Sequence, residues 1–166
     1  MSRSRSFTDE EQATWAPLAA VMELLPARID QQLARDDALT HFDYLVMAVL
    51  TRAPGHTVRM SELASATNAT LPRLSHVVTR LEKRGYARRE RAADDARAID
   101  VVLTPDGRRK AISATPAHVE NVRDAVLDAL DADQRAQLRE IAYAILDRLD
   151  PEGRFAVTRT DPFGRG

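Results

Sequence analysis

Apolar side chains recur at Trp15, Leu18, Val21, Met22, Leu25, Ile29 and Leu33, one face of a helix. That helix is predicted to begin at Thr8, with Glu11 at capping-box spacing. Pro17 and Pro26 fall inside the run and predict a kinked or broken helix. A second helix is predicted from Thr40, whose hydroxyl caps the amides ahead of Asp43. It runs through Leu45, Val46, Val49 and Leu50 and stops before Pro54-Gly55. Thr57-Val-Arg-Met60 is short and β-branched, suiting a small strand, and Ser61 is placed to cap a short helix Glu62–Ala66. After the polar turn Thr67-Asn-Ala-Thr70, Thr70 caps the next helix and Pro72 fits its first turn. That helix reaches Arg84, with Gly85 as a left-handed stop. Two helices joined by a short turn, the second longer and basic, form a helix-turn-helix pattern.

A hairpin is predicted next, from Tyr86–Arg91 and Ala98–Leu103 joined by the polar stretch Ala92-Ala-Asp-Asp-Ala-Arg97. A hairpin after a recognition helix is the wing of a winged-helix unit. Thr104-Pro105 opens a long helix to about Leu130, with Val119, Val122, Val126, Ala129 and Leu130 inward and Pro116 as a bend. Asp131 and Gln134 repeat the capping-box spacing, and the last helix carries Leu138, Ile141, Ala142, Ile145 and Leu149 on one face before Pro151. The fold class is therefore mainly α with a small β-wing, a winged helix-turn-helix flanked by N- and C-terminal dimerisation helices. The expected divisions are 8–38 and 105–150 for those helices, 39–104 for the winged unit, and 151–166 for a flexible tail. The flanking helices carry more apolar face than one winged unit covers. An intramolecular bundle would bury it; pairing with a second copy of the chain would bury it more fully.

Composition narrows the class. The 166 residues are 44% apolar and 30% charged, a soluble globular balance, with no run long enough for a membrane span. The stretch Met1–Phe7 has no apolar run behind its charges, so no secretory leader is expected, and a cytoplasmic protein is. The absence of cysteine excludes disulfides, thiolate zinc sites, thiol nucleophiles and thiol redox sensing.

The net charge of −1 conceals a local bias. Between Arg73 and Arg91 seven basic residues face two acidic ones, against an acidic remainder. Arginine outnumbers lysine by 22 to 2 along the whole chain, so an arginine carries meaning here through its placement alone. On the helix 70–84, Arg73, His76, Arg80, Lys83 and Arg84 recur at helical spacing opposite Leu74, Val77, Val78 and Leu81. Such a helix packs one side inward and offers a cationic side to a major groove. Ser75 and Thr79 are small hydroxyls beside that side, suited to phosphates or base edges, and Thr70 stands at its cap.

Three segments then carry a resemblance: Leu81-Glu-Lys-Arg-Gly-Tyr-Ala-Arg-Arg-Glu-Arg91, Asp95-Ala-Arg97-Ala-Ile99, and Val101-Val-Leu-Thr-Pro-Asp-Gly-Arg108, with Arg59-Met-Ser-Glu-Leu-Ala64 upstream. Together they resemble the MarR (multiple antibiotic resistance regulator) family over about residues 10–150. The resemblance implies a homodimeric winged-helix transcriptional regulator, usually a repressor, often released by a small aromatic or anionic effector. It also implies that Arg73, Ser75 and His76 read bases while Arg80 and Lys83 hold phosphates. Arg97 matches the wing-tip arginine that enters the minor groove, and Asp95 the acidic residue that orients it. Ala92 and Ala96 depart from the family's usual Asp and its Arg or Lys, leaving the wing one basic residue short.

Other chemistry finds little support. The histidines at 41, 56, 76 and 118 form no local metal motif, and no phosphate loop or nucleophile elbow occurs, so neither catalysis nor a cofactor is expected. An effector crevice between the dimerisation helices and the winged unit is expected, with Trp15, Met22, His41 and Tyr44 as candidates. Double-stranded DNA and a second copy of the chain are the expected partners. A winged helix used only for protein docking is the alternative; it would favour aromatic anchors, and the helix 70–84 has none.

Overall fold

The computed structural model describes residues 6–155. Part of the stretch read for a leader, residues 1–5, and the tail from 156 onward lie outside them. The elements follow in the order α1 (Asp9–Asp37), α2 (His41–Arg52), a 3-10 turn Pro54–His56, β1 (Thr57–Arg59), α3 (Met60–Ala66), α4 (Leu71–Lys83), β2 (Ala87–Arg91), β3 (Ile99–Leu103), α5 (Pro105–Val122), a π-helical turn Arg123–Leu127, and α6 (Ala132–Leu149). The three strands make one antiparallel sheet in the order β1-β3-β2. The predicted hairpin is its outer part, and β1 closes the other edge by pairing Val58 with Val101.

The capping signals locate the helix starts because each satisfies amides that have no intrahelical partner. Thr8 with Glu11, Thr40 with Asp43 and Asp131 with Gln134 all form reciprocal capping boxes. Thr70 and Thr104 cap α4 and α5 through their hydroxyls, each ahead of a proline in the first turn. Ser61 does not cap α3. That helix begins one residue earlier, at Met60, with Arg59 as its cap and no side-chain bond.

Two expectations about bends are corrected. α1 is one uninterrupted helix through Pro17 and Pro26, not a broken one. Both prolines are exposed, as are Ala13 and Met22 one turn earlier, so the carbonyls that lose an amide partner can bond water instead. α5 likewise runs through Pro116, but its α-helical part ends at Val122 and not near Leu130. There the backbone widens into a π turn, closed by Asp128 N–H to the Arg123 carbonyl at 2.9 Å. Arg135 donates to the Leu127 carbonyl at 2.8 Å and satisfies the end of that turn.

The core centres on α2. Val46, Met47 and Leu50 are fully buried with Leu33 of α1, Leu63 of α3, Leu74, Val78 and Leu81 of α4 and Val101 of β3. The family-like segments around Gly85 and Thr104 prove to be two halves of one joint. Thr104 donates through its hydroxyl to the Gly85 carbonyl at 2.6 Å and through its amide to the Tyr86 carbonyl at 3.0 Å. Gly107 packs against the same carbonyl so closely that a Cβ there would lie 2.0 Å from it. Gly85 itself has φ +75°, the left-handed stop read from the sequence.

The flanking helices join this core only in part, through Ile29 and Leu33 of α1 and Ala111 and Ala114 of α5. α6 contains no buried residue, and Leu138, Ile141, Tyr143, Ile145 and Leu149 are exposed. Along the first half of α1, Trp15, Leu18, Val21, Met22 and Leu24 are exposed as well. The C-terminus of α6 is closed by Asp150, which accepts the amides of Arg154 and Phe155, both at 2.9 Å.

Candidate nucleic-acid interface

The sequence of α4 buries Leu74, Val77, Val78 and Leu81 and leaves every other side chain of the helix body at least partly exposed. The exposed side divides into rows at helical spacing. Pro72, His76, Thr79 and Lys83 form the outermost row, opposite the buried one. Arg73 and Arg80 turn toward α2. The Arg73 guanidinium lies 4.2 Å over the Phe42 ring, and Arg80 donates to Asp43. Ser75 and Glu82 lie on the other flank, beside β2. The cationic side read from the sequence is therefore split, with two of its arginines held by α2 and Lys83 outermost.

Arg84, at the end of α4, donates to the Ala38 carbonyl at 2.6 Å and lies over the Tyr86 ring. Ala38 is the left-handed cap that turns the chain from α1 into α2. Arg80 and Arg84 together tie the recognition helix to that elbow.

Arg89 belongs to the basic stretch 73–91, and composition gives no sign of its position. Its amide donates to Glu82 at 2.8 Å, its guanidinium pairs with the same carboxylate, and Nη2 reaches the Ser75 carbonyl at 2.8 Å. The same nitrogen lies 3.1 Å from both the Ser75 and Thr79 hydroxyls. The cross-strand register that sets Arg89 opposite Val101 places it under α4. That register, and not local sequence, selects it from among the four arginines between 84 and 91.

The wing loop is built on Asp95, which accepts the Arg97 amide at 2.9 Å, while its carbonyl accepts from Ala98. Asp95 thus shapes the backbone that carries Arg97. Asp94 pairs with Arg59, whose Nε is also 3.7 Å from Asp100, so the loop is fastened to the end of β1. The two carboxylates, Asp94 foremost, hold the Arg59 guanidinium above its usual range. Ala92 is buried, so the Asp common at this place would put a charge where there is no water. Ala96 is exposed. Arg59, Ser75, Arg89 and Arg97 line one groove between α4 and the wing.

Of the effector candidates, the structure brings His41 and Tyr44 together with His118 of α5. The Tyr44 and His118 rings are 4.6 Å apart, Tyr44 bonds the Thr115 hydroxyl at 3.1 Å, and the His41 amide donates to Asp30 at 2.5 Å. Burial lowers both imidazoles from the usual histidine value; Asp30 opposes this at His41, and His41 adds to it at His118. His118 Nδ1 and Asn121 Nδ2 are buried with no hydrogen-bond partner. Trp15 and Met22 do not join this cluster. They are exposed along α1, where Trp15 packs on Phe7 at 6.4 Å. Among the described residues no group of three or more His, Asp or Glu could hold a metal, and no helix is long and apolar enough to cross a membrane.

A helix-turn-helix whose second helix is basic and flanked by a β-hairpin defines the winged-helix class of DNA-binding regulators. Comparison with known proteins gives the family: a MarR family model matches residues 39–98. The fold is similar to that of Sco3205, a MarR family transcriptional regulator from Streptomyces coelicolor solved in complex with DNA. That likeness has 36% identity and a TM-score of 0.84 over 92% of this chain and 95% of that one. The transcriptional regulator HosA of Escherichia coli is 31% identical over 66% of this chain and 78% of its own length. The transcriptional repressor MprA of Escherichia coli is 26% identical over 64% of this chain, a match that spans 60% of its own length. The chain belongs to the MarR family of transcriptional regulators.

Proposed function

We propose that this chain is a homodimeric, sequence-specific DNA-binding repressor that acts on a pseudo-palindromic operator and is released by a small ligand. The observation that carries the reading is the outward row His76, Thr79 and Lys83 on a helix whose opposite side is wholly buried, with Arg97 held beside it on a fastened wing. A helix in that setting enters a major groove, while the wing arginine enters the narrower groove alongside. Thr70, Arg73, Ser75, His76 and Thr79 are the groove-side contacts. Arg80, Lys83 and Arg97 supply charge, with Asp95 shaping the turn.

Two copies are required to use such a head on a palindrome, and the arms 8–38 and 105–150 are the means of pairing. The exposed apolar side chains of α1 and of α6 are left uncovered by the 39–104 unit. Paired heads about one helical turn apart would occupy successive major grooves. The cluster of His41, Tyr44 and His118 lies where α1, α2 and α5 meet, and Asp43, the partner of Arg80, stands between His41 and Tyr44 on the first turn of α2. A small aromatic or anionic ligand there would shift the heads relative to the arms and alter their separation. A few kcal/mol of differential affinity suffices for release.

The test is a selection of bound duplexes from a random pool, followed by titration of the recovered sequence. A two-fold symmetric consensus bound by two chains supports the reading. Equal affinity for all duplexes removes it.

A further inference from the structure

We infer that Arg89 is a positioning residue that turns the hydroxyls of Ser75 and Thr79 toward donation, so that they read hydrogen-bond acceptors on DNA. The inference rests on the DNA-binding reading above and adds the chemistry of two contacts. A serine or threonine hydroxyl has one hydrogen to give and lone pairs to receive. In mid-helix that hydrogen is normally spent on the carbonyl four residues back. Thr14, Thr51, Thr67 and Thr115 of this chain all do so, donating to Glu10, Met47, Leu63 and Ala111. Ser75 and Thr79 make no such bond. Their oxygens instead lie 3.1 Å from Arg89 Nη2, which has only hydrogens to offer.

With one of its two lone pairs facing the guanidinium, each hydroxyl is polarised toward donation and keeps its hydrogen free on an exposed flank of the recognition helix. The partners it suits are acceptors: a phosphate oxygen, guanine O6 or N7, adenine N7, or thymine O4. The amino groups of cytosine and adenine would have to share that oxygen with the hydrogens of a cation, so they suit it less. Glu82 is the device that holds Arg89 there, accepting its amide at 2.8 Å and pairing with its guanidinium. A lysine at 89 would keep the charge beside Glu82, but its single nitrogen could not pair with Glu82 and reach both hydroxyls at once, as Nη1 and Nη2 of the arginine do.

Arg89→Lys, Ser75→Ala and Thr79→Val, singly and combined, are to be titrated against the selected duplex and its single-base variants, with thermal melts to confirm folding. Arg89→Lys and Ser75→Ala are each expected to weaken binding about fivefold, the worth of one neutral hydrogen bond, and the pair little more than either alone. The same holds for Arg89→Lys with Thr79→Val. A loss confined to certain base positions assigns the free hydrogen to a base edge, and a loss equal for all sequences to a phosphate. Arg89→Lys with Arg97→Ala should multiply, since on the DNA-binding reading those side chains act on different grooves of the duplex. Full multiplication of the Arg89 and hydroxyl variants overturns the inference while leaving DNA binding intact. A wild-type chain with no duplex preference overturns both.

Discussion

Arg80 of the recognition helix donates to the Asp43 carboxylate from Nε at 3.2 Å and from Nη2 at 2.5 Å, and that carboxylate is 1% exposed. The other carboxylate oxygen accepts the Thr40 amide and completes the cap of α2. One buried group therefore starts α2 and anchors α4.

Arg80→Ala should lower folding stability as well as DNA affinity. It leaves a buried carboxylate with a single amide partner, at a cost of about 2 kcal/mol, discounted because the arginine is half exposed. Lys83→Ala, on the outermost row, should reduce affinity at unchanged stability. Denaturant unfolding of both variants beside duplex titration separates the two roles. Equal stability of the two variants would deny Arg80 its anchoring part.

Arg97→Ala should weaken operator binding and reduce the slope of log affinity against log salt by about one. Its side chain stands at the end of a loop fastened by Asp95 and by the Arg59–Asp94 pair, so the loop should keep its shape. Titration at several salt concentrations reads the slope, and an unchanged slope removes Arg97 from the interface.

Gly107→Ala should destabilise the fold by about 3 kcal/mol, because its Cβ would lie 2.0 Å from the Tyr86 carbonyl and 2.8 Å from Leu103 Cδ1. The obstacle on one side is backbone and cannot rotate away. A wild-type denaturation midpoint in the variant would contradict the packing described for this joint.

Stability should fall as pH drops from 7 toward 5 in part through His41 and His118. Both imidazoles are lowered in the fold by burial, so the unfolded chain takes up protons first, near pH 6.5. The neutral forms contribute fully above that value. The contribution is lost as pH falls below it and levels off under the folded values. His118→Gln should flatten the unfolding free energy across this window. A slope identical to wild type would show that the histidine titrates alike in both states.

Much of this structure is legible in the chain because its helix starts are written locally. Thr8, Thr40, Thr70, Thr104 and Asp131 each act within three residues, and all cap where the spacing predicts. The errors arise where solvent or distant chain decides. Pro17 and Pro26 do not break α1, because exposure lets water replace the lost bonds, and exposure is not a local property. At the end of α5 near Val122, Arg28 of α1 reaches Asn121 and Asp124, partners more than ninety residues away that no local pattern reveals. The recognition helix was evident from its apolar row, but the commitments of Arg73, Arg80 and Arg89 were not. Each is set by a partner on α2 or across the sheet, and a composition rich in arginine cannot single them out.

The proposed pairing through α1 and α6 is the step on which the proposed two-headed operator complex depends, and sedimentation of the purified chain, alone and with its selected duplex, measures it directly. The expected result is two chains in solution and two on one duplex, with Ile141→Asp and Ile145→Asp together giving a folded single chain that binds the duplex far more weakly. A wild-type protein that sediments as one chain at micromolar concentration and binds one per duplex would contradict it.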